Sequence, residues 1–297
     1  MRITNNMILR NSLAGIQSNS SAVQKVQGQI SSGLKLSTSS DDPTGVSQVM
    51  VSSSSLRAID QYKRNIDNAS SRSDAEGAAL DRLNDLLTRA KELAVSAATD
   101  TATPEGRKIA SKEMEQIFQS AVSIGNTKFG DEYLFGGDNA TTKPFTTSGT
   151  GATLAFTDSA PSGTRSVEVS AGQTVVSAHD GQQAFLDSGV LQALKDLTVG
   201  LASGNRDGVT AAMPGIDRAF TSTQQLIGES GARSNALQVA AQNLTALKLN
   251  LTTYRSSLQD VDIEEAVTTL VTKQTAYQAA MMATSKVLGM TLTDYLR

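Results

Sequence analysis

Few side chains in this 297-residue sequence are placed to do covalent chemistry. Cysteine is absent, which removes thiolate metal sites, disulfides and cysteine nucleophiles together. One histidine, His179, rules out any site that needs two imidazoles. It stands in a loop-rich stretch without a Ser or Asp partner in a recognisable nucleophile motif, so it reads as a solvated histidine. The acidic pairs Asp41-Asp42, Asp131-Glu132 and Glu264-Glu265 are adjacent in sequence. Adjacent side chains on a helix do not face one another and cannot converge on a substrate. Gly149-Thr150-Gly151 lacks the Gly-Lys-Ser/Thr ending of a phosphate loop, and Met281-Met282 reads as packing, not as a metal site. The expectation is a protein without catalytic residue, cofactor site or metal site, acting by contact.

Charge and hydropathy narrow the partners. Lys and Arg number 26 against 29 Asp and Glu, a formal net charge of -3, and the basic residues are scattered without interleaved aromatics. Neither a nucleic-acid surface nor a membrane span is expected, since no 18-residue apolar run occurs. The start of the chain carries Arg2, Arg10, Lys25 and Lys35 with no acid before Asp41, yet it has no continuous apolar stretch. A cleaved secretory signal is therefore not expected; the acid-poor, Ser-rich start leaves a mitochondrial transit peptide as the alternative. Aromatic residues make up only 4%, so Ala, Leu, Val and Ile must do the packing.

Apolar spacing then places the elements. On a three-then-four heptad template the N-terminal positions are Leu9, Leu13, Ile16, Ser20, Val23, Gln27, Ile30 and Leu34, six of eight apolar, with Gly33 as the stop. Asp42 reads as an N-cap with Pro43 at the first helical position, where its missing N–H costs nothing; a subunit contact is the alternative role for this pair. A second helix is expected over 44–99, with a polar interruption at 70–76, and a third opens at Thr103-Pro104 and carries Ile109, Met114, Ile117, Ala121 and Ile124. Residues 132–135 and 142–145, around Gly136 to Asn139, have the punctuation of a hairpin whose glycines would need positive φ. From there to Gly181 short alternating runs predict a small β-rich insertion. Helices resume near Asp187, and from Met213 to Leu258 nine of fourteen template positions are apolar. After a polar joint at 259–262 the last stripe is Ile263, Val267, Leu270, Gln274, Tyr277, Met281, Thr284 and Leu288, again six of eight apolar. Arg233, flanked by small residues, reads as an intersubunit ion-pair partner or as part of a solvated face.

The fold class expected is therefore mainly α: a long helical coiled coil and rod built by the N- and C-terminal segments, with a small β-rich outer insertion. The segments are 1–40, 41–145, 146–184, 185–258 and 259–297. Six apolar side chains at each end cannot offset the entropy of ordering so long a segment. The ends should be mobile alone and fold against one another and against adjacent subunits.

Ile30-Ser31-Ser32-Gly33-Leu34-Lys35-Leu36 followed by Ser40-Asp41-Asp42-Pro43 resembles the N-terminal signature of the bacterial flagellin-like family. Gly231-Ala232-Arg233-Ser234-Asn235, Leu258-Gln259-Asp260-Val261-Asp262, Gln274 and Asp294-Tyr295-Leu296 resemble its C-terminal signature. The resemblance covers about residues 1–145 and 185–297. Pro43, Tyr133-Leu134-Phe135-Gly136-Gly137, Thr142-Lys143-Pro144-Phe145 and the closing Asp294-Tyr295-Leu296 are more similar to the branch that joins hook to filament than to the bulk filament subunit.

That resemblance implies a secreted structural protein of the flagellum, exported through the type III apparatus without a cleaved signal. Implied partners are further copies in a ring or helical turn, a neighbouring hook-associated protein on the hook side, flagellin on the filament side and a cytoplasmic export chaperone. The assembly interface expected comprises Leu9, Leu13, Ile16, Val23, Ile30 and Leu34 with Ile263, Val267, Leu270, Tyr277, Met281 and Leu288, and Asp42, Pro43 and Arg233 as subsidiary candidates. Filament flagellin is the first alternative and a cytosolic coiled-coil scaffold the second.

Overall fold

The computed structural model describes residues 5–38, 40, 42–159 and 161–295; side chains are described for residues 7 and 10 onward as far as 286 within those ranges. Helices dominate. They are α1 (Asn5–Ser32), α2 (Pro43–Ala98), α3 (Pro104–Gly125), α4 (Val190–Ala202), α5 (Arg206–Gln259) and α6 (Ile263–Tyr295). Between α3 and α4 lie β1 (Lys128–Phe129), β2 (Glu132–Tyr133), β3 (Phe145–Ser148), β4 (Ala155–Asp158), β5 (Ser166–Ser170) and β6 (Gln173–Val176). They form three separate two-stranded antiparallel ladders, β1–β2, β3–β4 and β5–β6. The chain divides into two compact units, residues 1–58 with 247–297 and residues 59–246, whose boundaries fall within α2 and α5.

Local chemistry explains the helix ends. Asp42 accepts the Thr44 amide on Oδ1 at 3.0 Å and the Val46 amide on its carbonyl at 2.9 Å, so α2 starts at Pro43. Thr103 caps α3 by accepting the Gly106 amide at 3.0 Å. Gly33, with φ +71, ends α1 in the left-handed region that glycine enters without a Cβ penalty. The buried Arg107 satisfies the last carbonyls of α2, donating to Ala97 O at 2.9 Å and Thr99 O at 3.3 Å.

The core of the 59–246 unit joins Leu80, Leu83 and Leu87 of α2 to Met114 and Phe118 of α3 and to Leu191, Leu194 and Leu197 of α4. Phe135, Phe145 and Phe185 close it, with Phe135 edge-on to Phe185 at 5.1 Å between ring centres. Two glycines allow backbones to touch: a Cβ on Gly200 of α4 would lie 2.8 Å from the Gly208 carbonyl carbon of α5. Buried Thr198 and Thr223 donate to the carbonyls four residues back, Leu194 at 2.7 Å and Ala219 at 2.9 Å.

Five expectations change. The polar stretch at 70–76 does not interrupt α2, because Arg72, Ser73 and Glu76 there are buried among partners. Residues 132–135 and 142–145 do not form one hairpin. Asn126 fixes Phe145, donating to its carbonyl at 2.9 Å and accepting its amide at 3.0 Å; the Phe145 ring is drawn into the core and the strand it begins, β3, pairs with β4. Gly137 has φ +57, but Gly136 has φ -73 and is constrained by space instead, since a Cβ would sit 2.8 Å from Ala140 Cα. Ile109 is exposed, not part of the buried face of α3. Finally, α5 begins at Arg206, ahead of Met213, and carries Pro214 on its exposed side.

Candidate assembly surface and buried charge cluster

α1 and α6 lie against one another, and a backbone clasp fixes their register. Leu34 and Asp260 form an isolated antiparallel bridge. Around it the Lys35 amide donates to Gln259 O at 2.7 Å and the Val261 amide to Gly33 O at 3.0 Å. Gln29 Nε2 donates to Lys35 O at 3.0 Å. Asp262 caps α6, accepting the amides of Glu264 at 2.9 Å and Glu265 at 3.2 Å, and those two acids sit at the positive end of the helix dipole.

Pairing leaves much of the apolar stripe in water. Ile16, Val23, Ile30 and Leu34 of the first stripe and Leu270 and Tyr277 of the second are half-buried. Leu13 is 54% exposed, Ile263 49%, Val267 45% and Met281 49%. The side chains of Leu9 and Leu288 lie outside the described residues, as does Asp41. The template missed the buried members of the seam, Val26 and Ala266. Each stands one residue before a template position, Gln27 and Val267, so the face shared by the two helices is rotated from the predicted one. Asp42 and Pro43 are exposed and act as the start of α2.

Arg233 and His179 correct the sequence reading most sharply. His179 is buried, and Arg233 faces neither solvent nor open surface, its side chain being 10% exposed. Both meet Glu76, whose side chain has no exposure at all. Arg233 Nη1 donates to Glu76 Oε2 at 2.7 Å. Glu76 Oε1 receives the His179 backbone amide at 3.1 Å and, more closely, His179 Nδ1. On the other side of the ring Nε2 stands 3.0 Å from Glu229 Oε2, while Gln225 donates to Glu229 Oε1 at 2.9 Å. Burial on its own would lower the His179 pKa; the hydrogen bond and charge of Glu76, helped by Glu229 and opposed by Arg233, outweigh it and raise the pKa. The Glu229 carboxyl is held below its usual range by the Gln225 amide first and by His179 second. A signal for this cluster exists in the sequence: the heptad phase of Ile59, Ile66 and Ala69 continues through Ser73 and Glu76 to Leu80, Leu83 and Leu87.

A second polar network ties the ladders to α2. Arg72 donates to Leu134 O at 2.9 Å and Tyr133 O at 3.3 Å, and Glu132 bridges Arg72 and Arg165. Hydrogen bonding from Arg165 holds the Glu132 carboxyl below its usual range, against the opposing effect of partial burial. A groove of about 670 Å³ lies along Leu186 to Asp196 and the face of α5 that carries Gly215, Asp217 and Arg218. Its carboxylates are engaged, Asp187 with Gln182, Asp196 with Gln192 and Asp217 with Lys91. Among the described residues no three His, Cys, Asp or Glu side chains group as a metal site, and no helix is long and apolar enough to cross a membrane.

Long helices, paired ends and a clasp between them define a helical structural subunit. The bacterial flagellin N-terminal helical region matches residues 3–140 and the bacterial flagellin C-terminal helical region matches residues 213–296, well over half of the chain between them. The chain belongs to the flagellin family. It is 23% identical to flagellar hook-associated protein 3 of Escherichia coli (strain K12), across 98% of both chains. It is 26% identical to a flagellin of Bacillus subtilis (strain 168), across 95% of both. The solved structure of the flagellar junction protein FlgL from Legionella pneumophila shares the fold, with a TM-score of 0.55 at 14% identity over 72% of this chain and 100% of that one.

Proposed function

We propose that this chain is the structural subunit that joins the flagellar hook to the filament, assembling by head-to-tail contacts between copies. The observation that carries the reading is the surface left after α1 and α6 have paired: Leu13, Ile263, Val267 and Met281 remain about half exposed on helices whose register is already pinned. Exposed apolar faces of this kind gain their burial from further subunits. Identical subunits meeting through unlike patches close as a ring or continue as a helix, and a junction needs two unlike ends.

On this reading residues 1–40 and 259–297 form the inner tube, 41–145 and 185–258 the rod, and 146–184 the outer part. A hook-associated protein lies on one side and flagellin on the other, after secretion unfolded through the type III apparatus under the guard of a cytoplasmic chaperone. The family relationship and the full-length similarity to hook-associated protein 3 support it. Similarity across 95% of a flagellin keeps the bulk filament subunit as the second reading.

Immunogold labelling separates the two. Label at one point between hook and filament is the expected outcome, and label along the whole filament would replace the junction reading by the second. Leu270→Pro removes a hydrogen bond within α6 and costs about 3 kcal/mol or more, so it should abolish incorporation. Normal motility from that variant would overturn the assembly role of α6.

A further inference from the structure

The only histidine in the chain is taken out of water and set among charges. α2 contributes Glu76 and Arg72, α5 contributes Glu229 and Arg233, and the inserted segment contributes Arg165 and Asp180. Half of these are committed elsewhere. Asp180 accepts the amides of Gly163 at 3.0 Å and Gln183 at 2.8 Å, and Arg72 and Arg165 share Glu132. Glu76, Glu229 and Arg233 are left to answer to the imidazole.

Two arrangements satisfy the ring. When both nitrogens carry protons, Nδ1 donates to Glu76 and Nε2 to Glu229. Two cations, the imidazolium and Arg233, then face two carboxylates. When Nε2 has lost its proton, Nδ1 still serves Glu76, but the Nε2 lone pair faces the Glu229 carboxylate with no hydrogen between them. Arg233 Nη2, 3.1 Å from Nε2 and 3.3 Å from Nδ1, stands over the ring face and off the line of that lone pair, and Glu229, its side chain 49% exposed, is left to solvent.

We propose that His179 is a proton-operated latch for the segment that returns from β6 to α4. Doubly protonated, it fastens Ser177 to Gly181 to both α2 and α5; on losing the Nε2 proton it keeps Glu76 and lets go of Glu229. The geometry supports this independently of the assembly reading, because every partner lies within residues 59–246 of one chain. The direction in pH follows from linkage. An unfolded histidine titrates near about 6.5, and the folded value is raised. The stabilisation is therefore complete below about 6.5 and is lost as pH rises through the folded value.

A chain with one histidine gives one imidazole resonance, so the titration can be read directly by NMR on the full-length protein in dilute solution. Alongside it, hydrogen exchange of residues 177–181 is followed across the same pH range after correction for the intrinsic rate. The expected result is a midpoint above about 6.5, with loss of protection in 177–181 on the same curve. Glu229→Gln, a substitution at a half-exposed position, offers Nε2 an amide that can donate to its lone pair, so it should shift the midpoint down and flatten the exchange profile. A wild-type midpoint at or below the ordinary value, a midpoint unmoved by Glu229→Gln, or exchange in 177–181 indifferent to the titration would each overturn the latch.

Discussion

Glu76 has no contact with water and holds the Arg233 guanidinium and the His179 imidazole by its two oxygens. Removing its charge while leaving theirs strands Arg233 and His179, and breaking a buried pair from one side costs about 3–5 kcal/mol. Glu76→Gln should therefore move the urea midpoint far more than Glu229→Gln, whose carboxylate is half in solvent. Glu132 makes an acid-side prediction. Its folded pKa is lowered by Arg165, so its contribution is complete above the ordinary carboxylate range and is lost as pH falls through the lowered value. In Glu132→Gln the acid limb of the stability profile should flatten. His179 was illegible as a buried residue because its partners lie 103 and 50 positions away. Glu76 was half legible, since its place in the apolar phase of α2 was plain while its polarity argued for a joint.

Helix starts were the best-read features, for the reason that a cap is a local bargain between one side chain and a few amides. Thr103→Ala removes the acceptor for the Gly106 amide and should cost about 1 kcal/mol, read as a lower thermal midpoint with α3 otherwise intact. Strand pairing was read poorly between 132 and 145. Both candidate segments had turn residues between them, but the pairing was decided by Asn126, which grips Phe145 from 19 residues upstream. Pro214 hid the first turns of α5 for a related reason. Proline deprives a helix of one donor, and on the exposed side of α5 it is tolerated inside a helix whose buried face, Val209, Ala212, Ile216 and Ala219, holds it in place.

For the molecule as a whole, the heptad phase foretold which segments pair but not the angle at which they face. The stripes ran through Val267, while burial falls on Ala266. Periodicity of 3.5 drifts against a helix of 3.6 residues per turn, and no single-chain pattern says which part of a wide stripe a partner helix will take. The 59–246 unit has its own core, so a chain trimmed to residues 43–259 should keep cooperative unfolding by circular dichroism and lose assembly by sedimentation. The touching backbones of Gly200 and Gly208 have a kinetic corollary. Closing so short a connection forfeits little chain entropy, and local contacts of this kind form early. The α4–α5 corner is thus expected to form early when the unfolded chain regains its shape. A methyl group at Gly200 should accordingly slow refolding in stopped-flow by nearly as much as it weakens the native state, leaving the unfolding rate almost untouched.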